Sequence, residues 1–505
     1  MQKAVPDFSA HSNCETLDKA THSSPSPLMN KLGFGAITPT ETYEGLLRFE
    51  SEEITGSPSI AENKNIEAGW TYFGQLMAHD LTTHREFSND RPYLRLHSLY
   101  GMGPKANGFL YEFMDESRSS DPYAFRGVKF GLAPYTTRDR TAVWDVPRLR
   151  RYQGLDVPLM GDIRNDENFV LSQLHCLFLR FHNRVAEYLY NPQKPHEQLF
   201  KETQQAVTWT YQYIILNEYL PKLLKDKNLA HISLQDFKII NPQSYPQTFL
   251  TPEFIVAALR IGHSQVRQFY KINDQDQNLE LYGLKPKKAA DLRGFKQDKR
   301  RHAVDWSLFF NMSNGDGTQL QFSRPIDLMI STSLGGLPFM PKKMQNLGQL
   351  NLKRSRDQGL LLPKARLHEV STRCGIDTIK DLDAEVDAYF VQAGKFTKKW
   401  LNTAVKTVEN WPLWAFILLE AQIKGTALKI AGSRDVLQTL GPLGSQIFAE
   451  QLLWILLTDE AAYLHTKQNP GWKPTDTLKN YIQIGQQFGM ADIVAIAENG
   501  IPRPQ

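Results

Sequence analysis

Two histidines in this 505-residue sequence lie in segments whose residue types could carry acid–base chemistry or bind a metal ion. His79 lies in GQLMAHDLTTH, and His263 lies in LRIGHSQV. Gln75 lies one helical turn before His79, so on a helix the two side chains share one face, whereas Asp80 points about 100° away. An imidazole near its ordinary pKa can accept and return a proton or bind a metal ion, although a lone histidine on a helix is more often structural.

Two charged segments accompany these histidines. Arg164 and Glu167 lie in GDIRNDENFVL, directly before an apolar helical pattern, and Asn351 lies in the charged segment LNLKRSRDQGL. An arginine before a helix start is equally well explained as a surface residue or as one half of an ion pair. A dense charged run is typical of a solvated surface. Each segment alone therefore indicates little about function.

Other titratable residues near these segments have simpler interpretations. His84, His175 and His182 are interpreted as structural residues. Asp162 and Asp166 are interpreted as charges that stabilise a helix start rather than as catalysts.

Together and in this order, the four segments resemble the animal-type haem peroxidases of the peroxidase–cyclooxygenase superfamily, and within it a bacterial-like branch. The most specific match is N-x-x-R-S-R-D-x-G-L at residues 351–360, and the resemblance extends from about residue 65 to about residue 375. It implies a mostly helical fold in which haem lies between core helices.

The resemblance implies a distal, peroxide-binding side formed by His79, Arg164 and Gln75. His79 matches the distal base, which takes a proton from one peroxide oxygen and returns it to the leaving oxygen. Arg164 matches the arginine that stabilises charge on that oxygen, and Gln75 matches the glutamine that holds water or halide. The expected activity is reduction of hydrogen peroxide through a ferryl intermediate, with oxidation of small organic donors or halide.

The resemblance also implies a proximal side, where the protein binds the haem iron. His263 matches the axial iron ligand, and Asn351 matches the asparagine that accepts the other imidazole N–H. Arg260 matches the arginine that accompanies this asparagine and a haem propionate. Glu167 matches a carboxylate that can be esterified to a haem methyl group.

Two positions depart from the family pattern for covalent haem attachment. Ala78 stands where relatives carry an esterified aspartate before the distal histidine, and Asn168 stands where one branch carries a methionine that forms a sulfonium link. We therefore expect haem b with at most one ester link, through Glu167.

The calcium site of the family is also altered in this sequence. Asp80 matches a calcium ligand, but the candidate loop PYLRLHSLYG has Arg95 and His97 where relatives carry oxygen ligands. Calcium requires several oxygen ligands, and a guanidinium opposes it. We expect Arg95 to pair with Asp80 in place of the metal, so that calcium is absent or weakly bound, while calcium binding by Asp80 stays open.

The elements that must position these residues are helical. Apolar side chains recur with helical spacing over residues 167–190, 204–225, 252–268, 411–431 and 443–466, and strand patterns are few. We predict a mainly α fold: one large domain over residues 41–500 with little β structure, after an extended Ser/Thr/Pro-rich arm over residues 1–40.

Composition excludes several other classes of protein. A net charge of +4 over this length does not indicate a nucleic-acid partner, and three cysteines form neither a disulfide framework nor a zinc pattern. No apolar run has membrane-spanning length, and no classical signal-peptide pattern is present. We expect a cytoplasmic protein, or one exported by another route, and the sequence does not predict its oligomeric state.

Two other functions stay open. The first is a haem-dependent oxygenase acting on a fatty acid or another apolar substrate. Fatty-acid oxygenases place a tyrosine where this chain has Arg260, three residues before His263, which favours the peroxidase. The second is a non-catalytic haem-binding protein, and the presence of both histidines, Arg164 and Asn351 argues against it.

Overall fold

We describe the protein from a computed structural model. The residues that it describes are 25–34, 43, 46–50, 61–83, 92–113, 121, 123–136, 142–152, 155–283, 291–295, 303–312, 319–338, 346–393, 399–429, 433–465 and 471–501. Their α-helices are α1 (Pro27–Leu32), α2 (Ala68–Thr83), α3 (His97–Tyr100), α4 (Phe169–Leu189), α5 (His196–Ile214), α6 (Leu220–Leu223), α7 (Gly262–Gln265), α8 (Leu347–Asp357), α9 (His368–Cys374), α10 (Leu382–Ala393), α11 (Lys399–Thr407), α12 (Leu413–Glu420), α13 (Pro442–Thr458), α14 (Pro474–Thr477) and α15 (Met490–Asn499).

The strands are short. They are β1 (Arg48–Glu50), β2 (Asn63–Glu67), β3 (Ala133–Thr136), β4 (Ala142–Asp145), β5 (Arg148–Tyr152), β6 (Leu155–Pro158), β7 (Phe269–Tyr270), β8 (Leu279–Glu280), β9 (Phe322–Ser323), β10 (Met329–Ser331), β11 (Leu361–Pro363), β12 (Asn410–Pro412), β13 (Thr426–Lys429) and β14 (Val436–Gln438). Within the described ranges, the largest sheet has the order β13-β14-β2-β9, and the others are strand pairs. Buried apolar side chains from the whole fold form one continuous core. The predicted mainly α, single-domain fold with little β structure is confirmed.

Helix α4 forms where the apolar pattern predicts it, with a capped start and a buried apolar face. The side chain of Asn168 accepts a hydrogen bond from the backbone N–H of Leu171 at 2.9 Å, which satisfies one amide that a helix start leaves without a partner. The apolar stripe predicted over 167–190 is buried, and α4 packs against α2, α5 and α15. Helix α4 therefore fixes the position of residues 162–168, which precede it in the chain.

Helix α2, which carries Gln75 and His79, lies deep in the core beside α4. Gly69 near its start permits a close approach to a neighbouring segment, because a Cβ atom there would lie 2.5 Å from the backbone oxygen of Phe309. Helix α2 follows β2 without a break, so the four-stranded sheet and the helix core together fix its direction.

The helix predicted over residues 252–268 is interrupted in the structure. Glu253–Ala257 form a π-helical turn, Ala258–Ile261 form a 3-10 turn, and α7 then covers only Gly262–Gln265. Such changes of helical pitch redirect the side chains that follow, and π turns are frequent at functional sites. Apolar spacing predicted helical structure here but could not predict the break.

The other predicted helices are present. Helix α5 continues after Ile214 in a π-helical turn, Ile215–Tyr219, and then in α6, and helix α12 continues after Glu420 in a π-helical turn, Ala421–Gly425. Helix α13 ends at Thr458, before the end of its predicted segment. None of the helices in the described part of the chain is long and apolar enough to cross a membrane.

The predicted extended arm is wrong where the structure describes it. Residues 25–34 contain helix α1, and Leu28 and Leu32 are fully buried. The hydroxyl of Ser26 and the backbone N–H of Leu28 donate to the Glu253 carboxylate at 2.5 and 2.8 Å. Burial of these leucines outweighs the Ser/Thr/Pro bias from which extension was predicted. The rest of the arm lies outside the described residues.

Candidate active site

A cavity lies between helix α2, the turn before α4 and the broken helix that ends in α7. It contains about 1340 Å³ of space between atoms, including its open mouth. Six of the predicted site residues line it, and these are Gln75, His79, Arg164, Glu167, Arg260 and His263. The two remaining predicted residues, Asn351 and Asp80, lie behind the wall.

His79 is held on α2 as a neutral base. Its Nδ1 atom lies 2.8 Å from the side-chain oxygen of Asn165, so that nitrogen carries the proton and donates it. Burial and the Arg164 guanidinium lower the pKa of His79 to about 4, against the opposing effect of Asp162. At neutral pH the ring is therefore uncharged, and Nε2 is the nitrogen with a free lone pair.

Gln75 lies on the same face of α2 as His79, as its spacing predicted. The side-chain amide of Asn168 donates to the Gln75 oxygen at 3.2 Å, while the Asn168 oxygen caps α4. One asparagine thus ties the distal glutamine to the start of the central helix. Because this pair fixes the Gln75 oxygen, the Gln75 amide nitrogen is the group left to act as a donor.

Arg164 is fixed by a dense set of hydrogen bonds. Its guanidinium donates to both Asp162 carboxylate oxygens at 2.6–3.1 Å, to the Thr82 hydroxyl at 2.9 Å and to the backbone oxygen of His79 at 3.1 Å. Burial acts to raise the pKa of Asp162, but the Arg164 guanidinium outweighs it and holds that pKa well below its usual range. Asp162 therefore stays charged and holds the guanidinium beside the histidine.

Glu167 lies on the cavity wall, where burial raises the pKa of its carboxyl to about 7 although the Arg164 guanidinium opposes the shift. A carboxyl with this pKa is partly protonated at neutral pH. The protonated form is the one that an apolar ligand wall favours.

His263 on α7 pairs with Asn351 on α8, as predicted. The amide nitrogen of Asn351 lies 2.7 Å from Nδ1 of His263, and the Arg354 guanidinium donates to the Asn351 oxygen at 3.4 Å. Burial and the charges of Arg260 and Arg354 lower the pKa of His263 well below its ordinary value, so the ring is neutral. The predicted contact is confirmed, but the amide is oriented with its nitrogen rather than its oxygen toward the ring.

Two arginines lie on the proximal wall. Arg260 donates through Nε to the backbone oxygen of Ile255 at 3.1 Å, and its own backbone oxygen accepts from the indole of Trp414 at 3.1 Å. Arg354 is nearly buried and also lines the cavity. Arg354 was missed from the sequence, although its position one helical turn after Asn351 was the available signal.

The cavity residues fit haem. A neutral imidazole is the form that binds iron, and two guanidiniums match the charge of two propionates. An apolar wall suits a porphyrin face, and it is supplied by Leu259, Ile261, Val266, Leu281, Leu334, Leu337 and Leu347.

The residues around Asp80 do not fit calcium. Its carboxylate accepts the backbone N–H groups of Leu96 at 2.9 Å and Ser98 at 3.3 Å, so oxygens that calcium would need are occupied by donors. Within the described ranges, no group of three or more His, Cys, Asp or Glu side chains is arranged to hold a metal ion.

The predicted pairing of Arg95 with Asp80 is wrong. The Arg95 guanidinium instead donates to Asp459, with an Nε–Oδ2 distance of 2.9 Å. Asp80 is fully buried and its pKa is raised to about 7 by burial, against the backbone N–H groups of the loop. Backbone amides satisfy Asp80 at a depth where the partly exposed Arg95 side chain does not reach it.

Polar residues behind the distal wall make more contacts than the sequence predicts. Asp162 does cap the turn that begins at Ile163, as predicted, but it also holds Arg164. His175 was interpreted as structural, and it contacts the amide nitrogen of Asn165 at 3.0 Å through Nδ1. His84 lies outside the described residues.

Comparison with known proteins identifies a family. The family model of the animal haem peroxidases matches residues 133–451, more than half of the chain. A peroxidasin homolog of Caenorhabditis elegans is 28% identical over 45% of this chain and 17% of its own length. Lactoperoxidase of Mesocricetus auratus is 27% identical over 55% of this chain and 37% of its own length. The chain thus spans well under half of each of these relatives.

A solved structure shows the same fold. Peroxidase A from Dictyostelium discoideum superposes with a TM-score of 0.52 at 14% identity, covering 91% of this chain and 93% of that chain. A fatty acid alpha-dioxygenase of Arabidopsis thaliana superposes with a TM-score of 0.50 at 14% identity, covering 95% and 75%. At this identity the likeness concerns the fold alone. By the family match, this chain belongs to the animal haem peroxidases, a family whose cofactor is haem.

Proposed function

We propose that this protein reduces hydrogen peroxide at a haem held in the cavity and oxidises a small organic donor or halide. One observation carries the proposal: the same cavity is lined by two neutral imidazoles, and each has its Nδ1 atom engaged by an asparagine. His79 is thereby prepared as a base, and His263 would offer Nε2 to iron once the Asn351 amide presents its oxygen to Nδ1.

Haem would be held by His263, by the Arg260 and Arg354 guanidiniums at its propionates, and by the leucine-rich wall. Bound there, it would supply the two-electron reduction of peroxide and the return of electrons from a donor. Glu167 would provide at most one ester link, because Ala78 and Asn168 have no group that can form the others.

His79 performs the proton transfer of the proposed reaction. Nε2 takes the proton of the incoming peroxide oxygen and returns it to the departing oxygen, which leaves as water. Arg164 places a fixed positive charge beside this transfer and disfavours protonation of His79 before peroxide arrives. Asp162 prevents the guanidinium from leaving the site.

An oxygenase acting on a fatty acid is the second candidate. The apolar wall and the tyrosines on it, Tyr72, Tyr219 and Tyr282, favour it, since a radical on a wall tyrosine could abstract hydrogen from an apolar chain. Arg260 stands against it, because it occupies the position three residues before His263 where that chemistry would need a phenol.

A donor screen with haem-loaded protein tests the proposal. Peroxide consumption should require a phenolic donor or bromide, and oxygen uptake with palmitate but without peroxide should be absent. The Glu167→Gln variant serves as a matched control for haem attachment and should release all of its haem on acidified organic extraction. Oxygen uptake with fatty acid in place of donor-dependent peroxide consumption would overturn the proposal in favour of the oxygenase.

A further inference from the structure

We infer that Asn165 and His175 form a relay that fixes the proton of His79 on Nδ1 and thereby keeps Nε2 available as the base. The inference deepens the proposed function, and it concerns two positioning residues rather than catalytic ones. It stands on a continuous chain of three side chains, two imidazoles joined by one amide.

The amide of Asn165 gives the relay its direction. Its oxygen lies 2.8 Å from Nδ1 of His79, and its nitrogen lies 3.0 Å from Nδ1 of His175. An amide oxygen only accepts and an amide nitrogen only donates, so Nδ1 of His79 must carry a proton and Nδ1 of His175 must not. The neutral His175 ring then holds its own proton on Nε2.

The opposite arrangement would remove the base. If His175 carried its proton on Nδ1, the Asn165 amide would have to turn over and present its oxygen to His175. The amide nitrogen would then donate to His79, whose proton would move to Nε2. That nitrogen could no longer accept a proton from peroxide, so the tautomer of His175 determines what His79 can do.

Burial makes this relay rigid. Asn165 and His175 are both fully buried, and the backbone N–H of Asn165 donates to the backbone oxygen of Asp162 at 3.1 Å. Burial lowers the pKa of His175 to about 4, while the nearby Asp162 and Asp166 oppose the shift. Asp162 is paired with Arg164 and Asp166 with Arg148, so each carboxylate near His175 is already neutralised.

Nε2 of His175 supports a role beyond packing. It is a buried polar atom that has no hydrogen-bond partner in the part of the chain that the structure describes. An apolar residue at this position would avoid the cost of burying that N–H group. The histidine is therefore explained by the acceptor that it offers to Asn165.

Three variants in haem-loaded protein test the relay. Asn165→Leu removes both hydrogen bonds, and it should lower kcat/KM for hydrogen peroxide by about 10- to 100-fold, the usual cost of losing a residue that orients an imidazole. Asn165→Asp keeps an acceptor and adds charge, so it should keep most activity and move the acid limb of the pH profile upward. His175→Phe should give a smaller loss than Asn165→Leu.

The rate of cyanide binding supplies a readout other than activity. Hydrogen cyanide must lose its proton as cyanide binds the iron, so the same base is required and the association rate should fall in parallel with kcat/KM. Asn183→Leu is the control, because Asn183 lies on α4, as His175 does, and among the described residues its amide bonds the backbone of Phe130, at 2.7 and 3.0 Å. It should lower thermal stability without changing either rate per haem.

The outcomes separate this inference from the proposed function. If Asn165→Leu matches Asn183→Leu in both rates and in pH profile while His79→Leu is slow, the relay is overturned and the peroxidase proposal stands. If His79→Leu itself retains the wild-type rate, the proposed function fails as well.

Discussion

On each side of the cavity an asparagine contacts a histidine, but the two amides are oriented in opposite directions. On the distal side Asn165 presents its oxygen to Nδ1 of His79, whereas on the proximal side Asn351 presents its nitrogen to Nδ1 of His263. The distal ring is thus already in the tautomer that a base requires. The proximal ring is not yet in the tautomer of a metal ligand, because a neutral imidazole that binds through Nε2 has its proton on Nδ1.

The neighbours of each amide explain this difference. Asn165 is fixed at its other end by a histidine that accepts, while the oxygen of Asn351 accepts from Arg354 at 3.4 Å. An asparagine amide can turn over with little change of shape. We expect the Asn351 amide to turn over when His263 binds iron, whereas the distal amide keeps its orientation.

Removing the proximal ligand should weaken haem binding itself. His263→Gly should lower haem affinity at least about tenfold, since His263 is the residue that would bind the iron, and added imidazole should restore the absorption spectrum. Haem titration followed by absorbance provides the measurement. Unchanged haem affinity without imidazole would show that another residue binds the iron.

The distal side should dominate the pH dependence. With the pKa of His79 lowered to about 4, the base is neutral above that pH, and kcat/KM for peroxide should fall about tenfold per pH unit only below it. Rates measured from pH 3 to 8 in protein that retains its haem test this. An acid limb near pH 6.5 would mean that neither burial nor the Arg164 charge acts on the ring.

A substitution at Asn351 tests how its side chain acts on His263. Asn351→Asp replaces the amide by a carboxylate, which only accepts, so the imidazole gains anionic character and the reduction potential of the iron should fall. Spectroelectrochemical titration measures it. Lys353→Gln on the exposed side of the same helix is the matched control, and an equal potential in both variants would contradict the proposed role of Asn351.

The smallest effects concern Asp80 and Arg95, on the side of α2 away from the cavity. Asp80→Ala leaves the buried amides of Leu96 and Ser98 without their acceptor and should cost about 2 kcal/mol of unfolding free energy. Arg95→Gln removes a partly exposed ion pair and should cost less than about 1 kcal/mol. Urea denaturation gives both values. Destabilisation of the wild type by a chelator, reversed by calcium, would show that Asp80 binds the metal after all.

The sequence predicted most of the cavity residues, because the resemblance assigned a role to residues in each of four short segments. His79, Arg164 and His263 all reach the cavity, and Asn351 contacts His263 as expected. The mainly helical fold was also predictable. The apolar residues of α4 recur at three- and four-residue steps, so only a helix places them on one face that the core can bury.

Contacts between distant segments could not be read from the sequence. Arg95 and Asp80 are complementary in charge, yet Arg95 pairs with an aspartate that lies 364 residues further along the chain. The orientation of a side-chain amide depends on neighbours from other elements, so the contacts of Asn165 could not be predicted from the sequence. The buried helix α1 was missed for the same reason, since its partner Glu253 comes from a remote segment.

The division of roles between the two histidines is tested most directly by stopped-flow mixing of haem-loaded His79→Leu with hydrogen peroxide. The variant should keep its haem and resting spectrum, because His263 is intact, while the rate of the peroxide-induced absorption change should fall by about 10²- to 10⁴-fold relative to wild type. A rate within twofold of wild type, at equal haem content, would contradict the assignment of His79 as the base.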